Sequence, residues 1–573
     1  MKSIFSYLLL ALFCVVIASA TKLYRPAGKT VFDQKEDATG CGPSTFDLVA
    51  DDAGKFIPLL PGLGNHHYTI ATQSDSTQIY FDQGLRFYYG YHFREALASF
   101  REAARFDKNC PMAYWGQALA MGPYYNNSNY KMGKDVPAVL TVLRANATSA
   151  SGKELDLINA MLQRYSADST NADRPRLDSN YATAMNALVE KYSADNDIKA
   201  LYIDAVMLQH KWNLWNTDGS PKPWTPPLVQ LCEAILKTDT AQPAALHYYI
   251  HLTEASRQPA LALHSAEILQ NLMPGVGHMV HMATHSYQRN GLFAKAVTVN
   301  EDANNAYNLL DAEAPALHTG QNNVVHVYAV QSYCAINAGM YQKALPLYQR
   351  ARERLMAQHP AFARDVYSQF VYMIPVIAMV RAGKWEEILQ QPTPHAEWKY
   401  AQVLDGFARG LAYVHNNNIS EASQCLAALE ENIKDSLLAI RMVPFNKPVQ
   451  CGRIAAYLLQ GEILYAEGKS ADAITAFQQA VTEEAQLVYR EPQDWFIPAR
   501  QFLGAYLLKL HKFKEAANVY RDDLVANPNN GWSLLGMYQS LVAQNKLREA
   551  ATYQTAYKTA FASTDVQPEA SVF

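Results

Sequence analysis

Histidine is concentrated in one short stretch of this chain. Six of the sixteen histidines fall between residues 247 and 285. Five of the six belong to the phrases His247-Tyr-Tyr-Ile-His251-Leu-Thr-Glu254 and His278-Met-Val-His281-Met-Ala-Thr-His285. On a helix of 3.6 residues per turn, spacings of three, four and seven residues place each set on one face. Neutral imidazole is a good ligand for zinc and copper, and three or four imidazoles suffice for either ion. The pattern therefore predicts a transition-metal site.

The two histidine phrases are related to each other by a fixed spacing. His281 follows His247 by 34 residues, and His285 follows His251 by 34 residues. This match indicates equivalent places on consecutive structural repeats, where the imidazoles of neighbouring helices lie side by side. His326 occupies the place in the next repeat that His278 has in its own. The predicted metal ligands are His247, His251, Glu254, His278, His281, His285 and His326.

The matched spacing also predicts an arrangement for these residues. We expect a square-like patch of four imidazoles, with two further groups at its edges and one approaching from the following repeat. The square consists of His247, His251, His281 and His285; the edges are His278 and Glu254; the approaching residue is His326. Nearest rings should lie within about 7 Å of one another even without an ion.

The chemistry of zinc proteases is not expected at these histidines. His247 and His251 have the ligand spacing of the H-E-x-x-H motif, but Tyr248 stands where that motif needs its general-base glutamate. Glu254 remains a candidate base or ligand. A histidine-ligated oxidase or oxygenase, or a different hydrolase, stays open as an alternative to a binding protein.

A repeated pattern of small and aromatic residues extends along most of the chain. Its clearest copy is Gly461, Ala473, Phe477 and Ala480, and the same spacing recurs in Gly84, Ala96, Phe100 and Ala103. Small residues let two helices approach closely, and an aromatic side chain fills the space beside them. The pattern predicts helical hairpins stacked in an array.

This pattern resembles the tetratricopeptide repeat, whose W-x-x-L-G signature and 34-residue period are matched by Trp532-Ser-Leu-Leu535-Gly536 and the spacings above. The resemblance implies an all-α solenoid, a right-handed superhelix of at least seven helical hairpins. It also implies that the first helix of each hairpin lines a concave groove, which would hold the histidines and could bind a protein or peptide.

Three further phrases narrow the resemblance. Phe81-Asp-Gln-Gly-Leu85, Trp115-Gly116 and Glu491-Pro-Gln-Asp-Trp495 resemble an exported, bacterial-type tetratricopeptide family. That resemblance implies the fold and export, and it carries no activity to this chain.

The chain is expected to divide into four parts. Lys2, an apolar run from Ile4 to Ile17, and Ala18-Ser-Ala20 indicate a cleaved signal peptide at 1–20, and hence a secreted or periplasmic protein. The run is shorter than the roughly 20 residues of a membrane span, and no later stretch replaces it. Residues 21–76 should wrap the first repeat, 77–562 should form the solenoid, with degenerate repeats at 130–243, and 563–573 should be a flexible tail.

Charge and cysteine content narrow the function further. The formal net charge of −4 and the absence of a basic stripe argue against nucleic acid as a partner. The cysteines beyond the leader are widely spaced, so they either form disulfides, with Cys425 and Cys451 as the closest pair, or are small buried apolar residues. The sequence thus favours a binding or scaffold protein whose histidine-rich groove holds copper or zinc. The alternatives are a metal-dependent enzyme and a metal-free peptide-binding scaffold.

Overall fold

The fold was obtained as a computed structural model, which describes residues 48–127, 130–150, 152–166, 173–317, 320–358, 362–440 and 446–573. These residues form 25 α-helices and no β-strand, apart from an isolated bridge between Trp215 and Pro221. The predicted all-α class is therefore confirmed. The predicted signal peptide lies outside the described residues.

The first third of the chain contains eight helices. They are α1 (Asp75–Tyr89), α2 (Phe93–Phe106), α3 (Pro111–Ala120), α4 (Val136–Asn146), α5 (Gly152–Gln163), α6 (Arg174–Lys191), α7 (Asn196–Gln209) and α8 (Thr225–Thr238). Helices α4 to α8 occupy the interval 130–243, where the sequence pattern is weakest. A loop rich in Trp and Pro connects α7 to α8.

The middle third carries the histidine phrases. Its helices are α9 (Pro243–Thr253), α10 (Leu263–Leu272), α11 (Gly277–Arg289), α12 (Phe293–Glu313), α13 (Gly320–Asn337), α14 (Tyr341–Gln358) and α15 (Val366–Arg381). Short turns separate α9 to α12, so these helices form two consecutive hairpins, and α13 opens the next one.

The last third returns to regular hairpins. Its helices are α16 (Trp385–Leu389), α17 (Lys399–His415), α18 (Ile419–Asn432), α19 (Ser436–Ile440), α20 (Pro448–Ala466), α21 (Ser470–Glu484), α22 (Ala499–Lys509), α23 (Phe513–Ala526), α24 (Gly531–Ala543) and α25 (Leu547–Ala560). Within the described ranges, the pairs of consecutive helices that pack as hairpins include α1/α2, α6/α7, α9/α10, α11/α12, α13/α14, α17/α18, α20/α21, α22/α23 and α24/α25.

The spacing of small and aromatic residues explains how the hairpins pack. The Phe100 ring lies between Gly84 and Gly116, and a Cβ atom on either glycine would come within 2.6 and 2.3 Å of that ring. Tyr520 lies in the same way between Gly504 and Gly536. A larger residue at these glycines would push the helices apart. This is the packing of tetratricopeptide-type hairpins, as predicted.

The ends of the described chain fold back onto its middle. The backbone N–H of Gly275, just before α11, donates to the Gly62 carbonyl at 2.8 Å. At the other end of α11, the Arg289 guanidinium donates to the Ala526 carbonyl at 3.1 Å, and the Asn529 side chain donates to the Asn290 carbonyl at 3.0 Å. The N-terminal segment therefore contacts the start of α11, and the C-terminal repeats contact its end.

The C-terminal tail is packed, which corrects the expectation that residues 563–573 are flexible. The Asp565 carboxylate accepts hydrogen bonds from the backbone N–H groups of Tyr341, Gln342 and Lys343 at 2.6–3.0 Å. Ser571 and Val572 are buried. The lack of an apolar period excluded a helix in this tail, but single side chains anchor it on the solenoid.

Two further expectations can be compared with the described residues. Cys110, Cys232, Cys334, Cys425 and Cys451 are all free thiols, so Cys425 and Cys451 do not form the disulfide suggested by their proximity in sequence. Four of these five thiols are buried, as expected of small apolar side chains. Among the described helices, none combines the length and apolarity that crossing a membrane requires.

Candidate metal centre

Three neighbouring helices bring the predicted histidines together. Helix α9 supplies His247 and His251, helix α11 supplies His278, His281 and His285, and helix α13 supplies His326. Each of these helices is the first of its hairpin, and α11 packs against both of the others. The 34-residue spacing therefore corresponds to adjacent helices, because one hairpin separates each first helix from the next.

The histidines form two sets of three. The first trio is His247, His251 and His278, and the second trio is His281, His285 and His326. Within each trio, one nitrogen from each ring lies within 4.8 Å of the other two. The two trios are neighbours, with ring centroids 6.1 Å apart between His278 and His281 and 6.3 Å apart between His251 and His285.

The arrangement differs from the predicted square in one respect. His278 was expected at an edge, but it belongs to the first trio, with its ring 5.0 Å from that of His247. His278 and His281 share one face of α11, offset by about 60° around the helix axis. Within that face, His278 lies nearer His247 on α9 and His281 lies nearer His326 on α13.

Hydrogen bonds at Nδ1 fix the orientation of several rings. His247 Nδ1 lies 2.6 Å from the Tyr89 carbonyl oxygen, which can only accept. The Nδ1 atoms of His251 and His285 lie 3.2 and 2.9 Å from the two carboxylate oxygens of Glu254. Each Nδ1 therefore carries the proton, and each Nε2 presents a lone pair. This is how outer carboxylates and carbonyls prepare histidines for a metal.

The second trio shows the same preparation in its closest contact. His281 Nδ1 lies 2.7 Å from the Asn300 side-chain oxygen, and His281 Nε2 lies 3.0 Å from His285 Nε2. This contact is a hydrogen bond when His285 carries a proton on both nitrogens and donates from Nε2 to His281 Nε2. A metal ion can take the place of that proton.

Glu254 was predicted as a ligand, and the structure gives it a different set of contacts. Both of its oxygens bond to ring nitrogens that lie on the far side of the rings from Nε2. This geometry makes Glu254 a residue that orients ligands in both trios. Glu254, His285 and Glu491 also form a third group, whose ligand atoms lie within 4.8 Å of one another. Glu254 could coordinate an ion directly in that group.

The cluster is buried, and burial sets its protonation. His247 and His281 are fully buried, and His278, His285 and His251 are 2–4 % exposed. Burial lowers the pKa of His247, His278 and His326 well below the usual value for histidine, and neighbouring imidazoles add to the effect. Burial and the neighbouring His285 lower the pKa of His281 to about 3. Neutral imidazole is the form that binds a metal.

The carboxylates beside the second trio shift in opposite directions. Burial and the charge of Glu254 raise the pKa of Glu491 to about 7. Burial also opposes the charge on Glu254, but His251 and His285 outweigh it and lower its pKa to about 2. Burial works against the charged form of His285 as well, but Glu491 and the bond to Glu254 raise its pKa.

The predicted open groove is wrong at this position, because segments distant in sequence cover the histidines. Tyr91, from the turn between α1 and α2, places its ring 4.4 Å from that of His247 and 5.5 Å from that of His278. The Tyr125 ring lies 5.2 Å from that of His251. On the other side, Glu491 Oε2 lies 4.0 Å from His285 Nδ1. These histidines are therefore buried beneath other parts of the chain and do not form a docking surface.

The spacing of the histidines does not predict several of these residues. Tyr89, Tyr91 and Tyr125 lie more than a hundred residues before the histidine phrases, and Asn300 lies 19 residues after His281, on the second helix of the same hairpin. Tyr91 did carry a signal. It stands five residues before the repeat alanine Ala96, in a hairpin turn with a positive φ of 56°. The same place holds Gly291, Gly339, Asn417, Gly468, His511 and Asn545, all with positive φ. A bulky aromatic residue is unusual there.

Comparisons with known proteins give the chain no assigned relative. No family model matches it, and no curated protein matches it. Solved structures with similar helical arrays include human IFIT1 bound to m7Gppp-AAAA, with 13% identity, 86% of this chain and 91% of that chain covered, and a TM-score of 0.31. They also include the APC/C hetero-tetramer Cut9–Hcn1, with 10% identity, 86% and 95% coverage, and a TM-score of 0.26. Yeast Tom70 has 13% identity, 84% and 90% coverage, and a TM-score of 0.31. At these scores, neither the fold nor the function rests on them.

Proposed function

We propose that this protein is an exported, tetratricopeptide-type metal-binding protein whose buried histidines hold a transition-metal ion. The observation that supports this most directly is the set of acceptors beside the Nδ1 atoms. Tyr89, Glu254 and Asn300 occupy the Nδ1 atoms of His247, His251, His281 and His285, which leaves the Nε2 atoms of these four rings as the ones that can bind an ion. Buried nitrogens without partners are costly, and a metal ion satisfies several at once.

Copper and zinc suit this donor set best. Imidazole nitrogens favour late first-row metals, whereas magnesium and calcium prefer oxygen ligands. The second trio also brings two Nε2 atoms to 3.0 Å. That spacing fits two ligands about 2.0–2.1 Å from a common ion. The neutral rings add no charge, and Glu254 and Glu491 supply negative charge beside them.

Elemental analysis of protein purified without a histidine tag tests the proposal. We expect copper or zinc in at least equimolar amount, and a lower metal content in a His281→Ala/His285→Ala double variant. His264→Ala is the matched control, because His264 is exposed on α10, outside both trios. Wild-type protein that remains metal-free after incubation with excess zinc and copper, and after desalting, would falsify the proposal.

A metal-dependent enzyme is the second candidate, and one observation favours it. Glu491 Oε1 is buried, has no hydrogen-bond partner among the described residues and lies beside the second trio. A carboxyl group in such a place is available to move a proton at a metal-bound molecule. Dioxygen uptake by the copper-loaded protein with ascorbate as reductant, reduced in Glu491→Gln, would support an oxidase. Uptake no faster than that of free copper would leave the binding function alone.

Two other parts of the proposal concern location and partners. The leader-like first twenty residues support export to the periplasm or the exterior, and N-terminal sequencing of the mature protein should find a start near Thr21. Peptide binding at the histidines is disfavoured by their burial, so a protein or peptide partner would bind elsewhere on the solenoid.

A further inference from the structure

We infer that the centre holds two metal ions, one in each trio, which rests on the proposed metal-binding function. The first trio contributes His247, His251 and His278, and the second contributes His281, His285 and His326. The ions would be copper or zinc, each with three neutral imidazoles and an open coordination position. A single ion shared by the whole cluster is the alternative.

The extent of the cluster argues against one shared ion. Two nitrogens on one ion lie at most about 4.2 Å apart, since each is about 2.1 Å from it. A separation of up to 4.8 Å within a trio needs only a small ring movement to reach that limit. By contrast, ring contacts join His247 only to the first-trio histidines, and join His326 only to those of the second.

The atoms without partners give the second step. Within the described residues, His247 Nε2, His251 Nε2 and both ring nitrogens of His278 are buried and have no hydrogen-bond partner. All four atoms belong to the first trio. An ion in the second trio, at the close pair His281 and His285, would leave every one of them unsatisfied. An ion in the first trio would bind one nitrogen from each ring and so satisfy three of the four atoms. Because buried polar atoms are normally paired, this favours an ion of its own in the first trio.

One carboxylate joins the two trios into one centre. Glu254 Oε1 holds His251 of the first trio, and Glu254 Oε2 holds His285 of the second. The two sites are therefore oriented by the same side chain, and their facing rings are about 6 Å apart.

The cover over the centre restricts what can reach it. Tyr91 closes the first trio, with its ring nearly parallel to those of His251 and His278. On the side of the second trio, His326 and Glu491 are only partly buried. The cover therefore favours ligands as small as water, hydroxide or dioxygen, and the centre is least covered beside His326 and Glu491.

Metal stoichiometry tests the inference. Untagged protein is stripped with a chelator, reloaded with zinc chloride or copper sulfate, desalted and measured by mass spectrometry. We expect two ions per wild-type chain, one in His278→Ala, one in His326→Ala and two in the control His264→Ala. Circular dichroism of each variant checks that the helices are retained.

A measurement on the wild type keeps the inference testable if either variant fails to fold. In the fully copper(II)-loaded protein, adjacent ions should couple, so the electron paramagnetic resonance signal should integrate to well below the copper present. Saturation at one ion per chain, or a signal that accounts for all the copper as isolated ions, overturns the two-ion centre and leaves the proposed function intact. Absence of any bound metal defeats both.

Discussion

At the scale of single residues, the site depends on groups that set the tautomers of its ligands. Imidazole can bind a metal through either nitrogen. Where Nδ1 donates to an acceptor, only Nε2 is left to bind the metal. Tyr89 supplies a backbone carbonyl, Asn300 an amide oxygen and Glu254 a carboxylate. The single buried carboxylate of Glu254 orients two histidines, one in each trio. A substitution at Glu254 is therefore the most direct test of ligand orientation.

Replacing Glu254 by Gln should weaken metal binding by about 10–100-fold. The substitution removes the charge, and the amide NH₂ group faces an Nδ1–H group where an oxygen accepted before, so one ring loses its orientation. Affinity is measured by competition with a chromogenic chelator. Glu267→Gln, an exposed position on α10, is the control and should bind as the wild type does. Equal affinity for both variants would mean that Glu254 does not orient the ligands.

A second residue-scale prediction concerns a buried acid outside the two histidine trios. Burial raises the pKa of Glu462 to about 7, and its partner is the Tyr506 hydroxyl. The folded state therefore binds more protons than the unfolded state between about pH 4.5 and 7. Stability from this group is present at low pH and is lost as the pH rises through 7.

Glu462→Gln should remove that pH dependence, because the amide resembles the protonated acid. We expect the variant to be more stable than the wild type at pH 8, by up to about 3 kcal/mol, and nearly equal to it at pH 4.5. Denaturant unfolding at the two pH values measures the difference. Exposed Glu397→Gln is the control. A variant less stable at pH 8 would show that the charged form is favoured in the fold.

At the scale of helices, packing depends on whether the space beside each helical glycine can hold a side chain. A Cβ atom at Gly461 would lie 2.5 Å from the Phe477 ring, whereas one at Gly406 would meet its neighbours at 3.5 and 3.6 Å. Both glycines lie inside helices, α20 and α17. The two positions thus separate helix propensity from packing between the helices of a hairpin.

Gly461→Ala should destabilise the protein by about 1–3 kcal/mol, because the added methyl group forces Phe477 out of place. Gly406→Ala should instead be neutral or stabilise by up to about 1 kcal/mol, since alanine favours the helix and finds space. Thermal unfolding followed by circular dichroism compares them. Equal losses in the two variants would contradict the packing explanation.

At the scale of the whole molecule, contacts between distant parts of the chain add to the contacts between neighbouring repeats. The N-terminal segment reaches α11 at Gly275, and the last repeats reach it at Arg289 and Asn290. The C-terminal tail adds a further attachment through Asp565 at the start of α14 and through buried Ser571. A solenoid stabilised only by neighbouring repeats would lack these long-range contacts.

Asp565→Ala should lower the free energy of unfolding by about 1–2 kcal/mol, as does the loss of a side chain that caps a helix. The backbone N–H groups of residues 341–343 lose their acceptor, and the negative charge leaves the helix N-terminus. Glu569→Ala removes the same charge from the tail away from that helix and serves as the control. Thermal unfolding measures both. If the tail contributes nothing to stability, both variants should lower the free energy of unfolding by the same small amount.

The sequence by itself determined the helices, their pairing and the residue types of the site. Repeat spacing fixed which helices are neighbours, because small and aromatic residues at set positions allow only one hairpin packing, and the 34-residue match then placed His247 and His251 beside His281 and His285. These properties involve only one repeat and the next, so they can be predicted from the periodicity of the sequence.

Only the tertiary structure decided how the site is closed and divided. The cover by Tyr91 and Tyr125, the position of Glu491 and the packed tail all join residues separated by a hundred or more positions, and no periodic pattern encodes such contacts. The assignment of His278 to the first trio also depended on the tertiary structure. His278 and His281 share one face of α11, and which of them lies nearer α9 or α13 depends on how the three helices pack together.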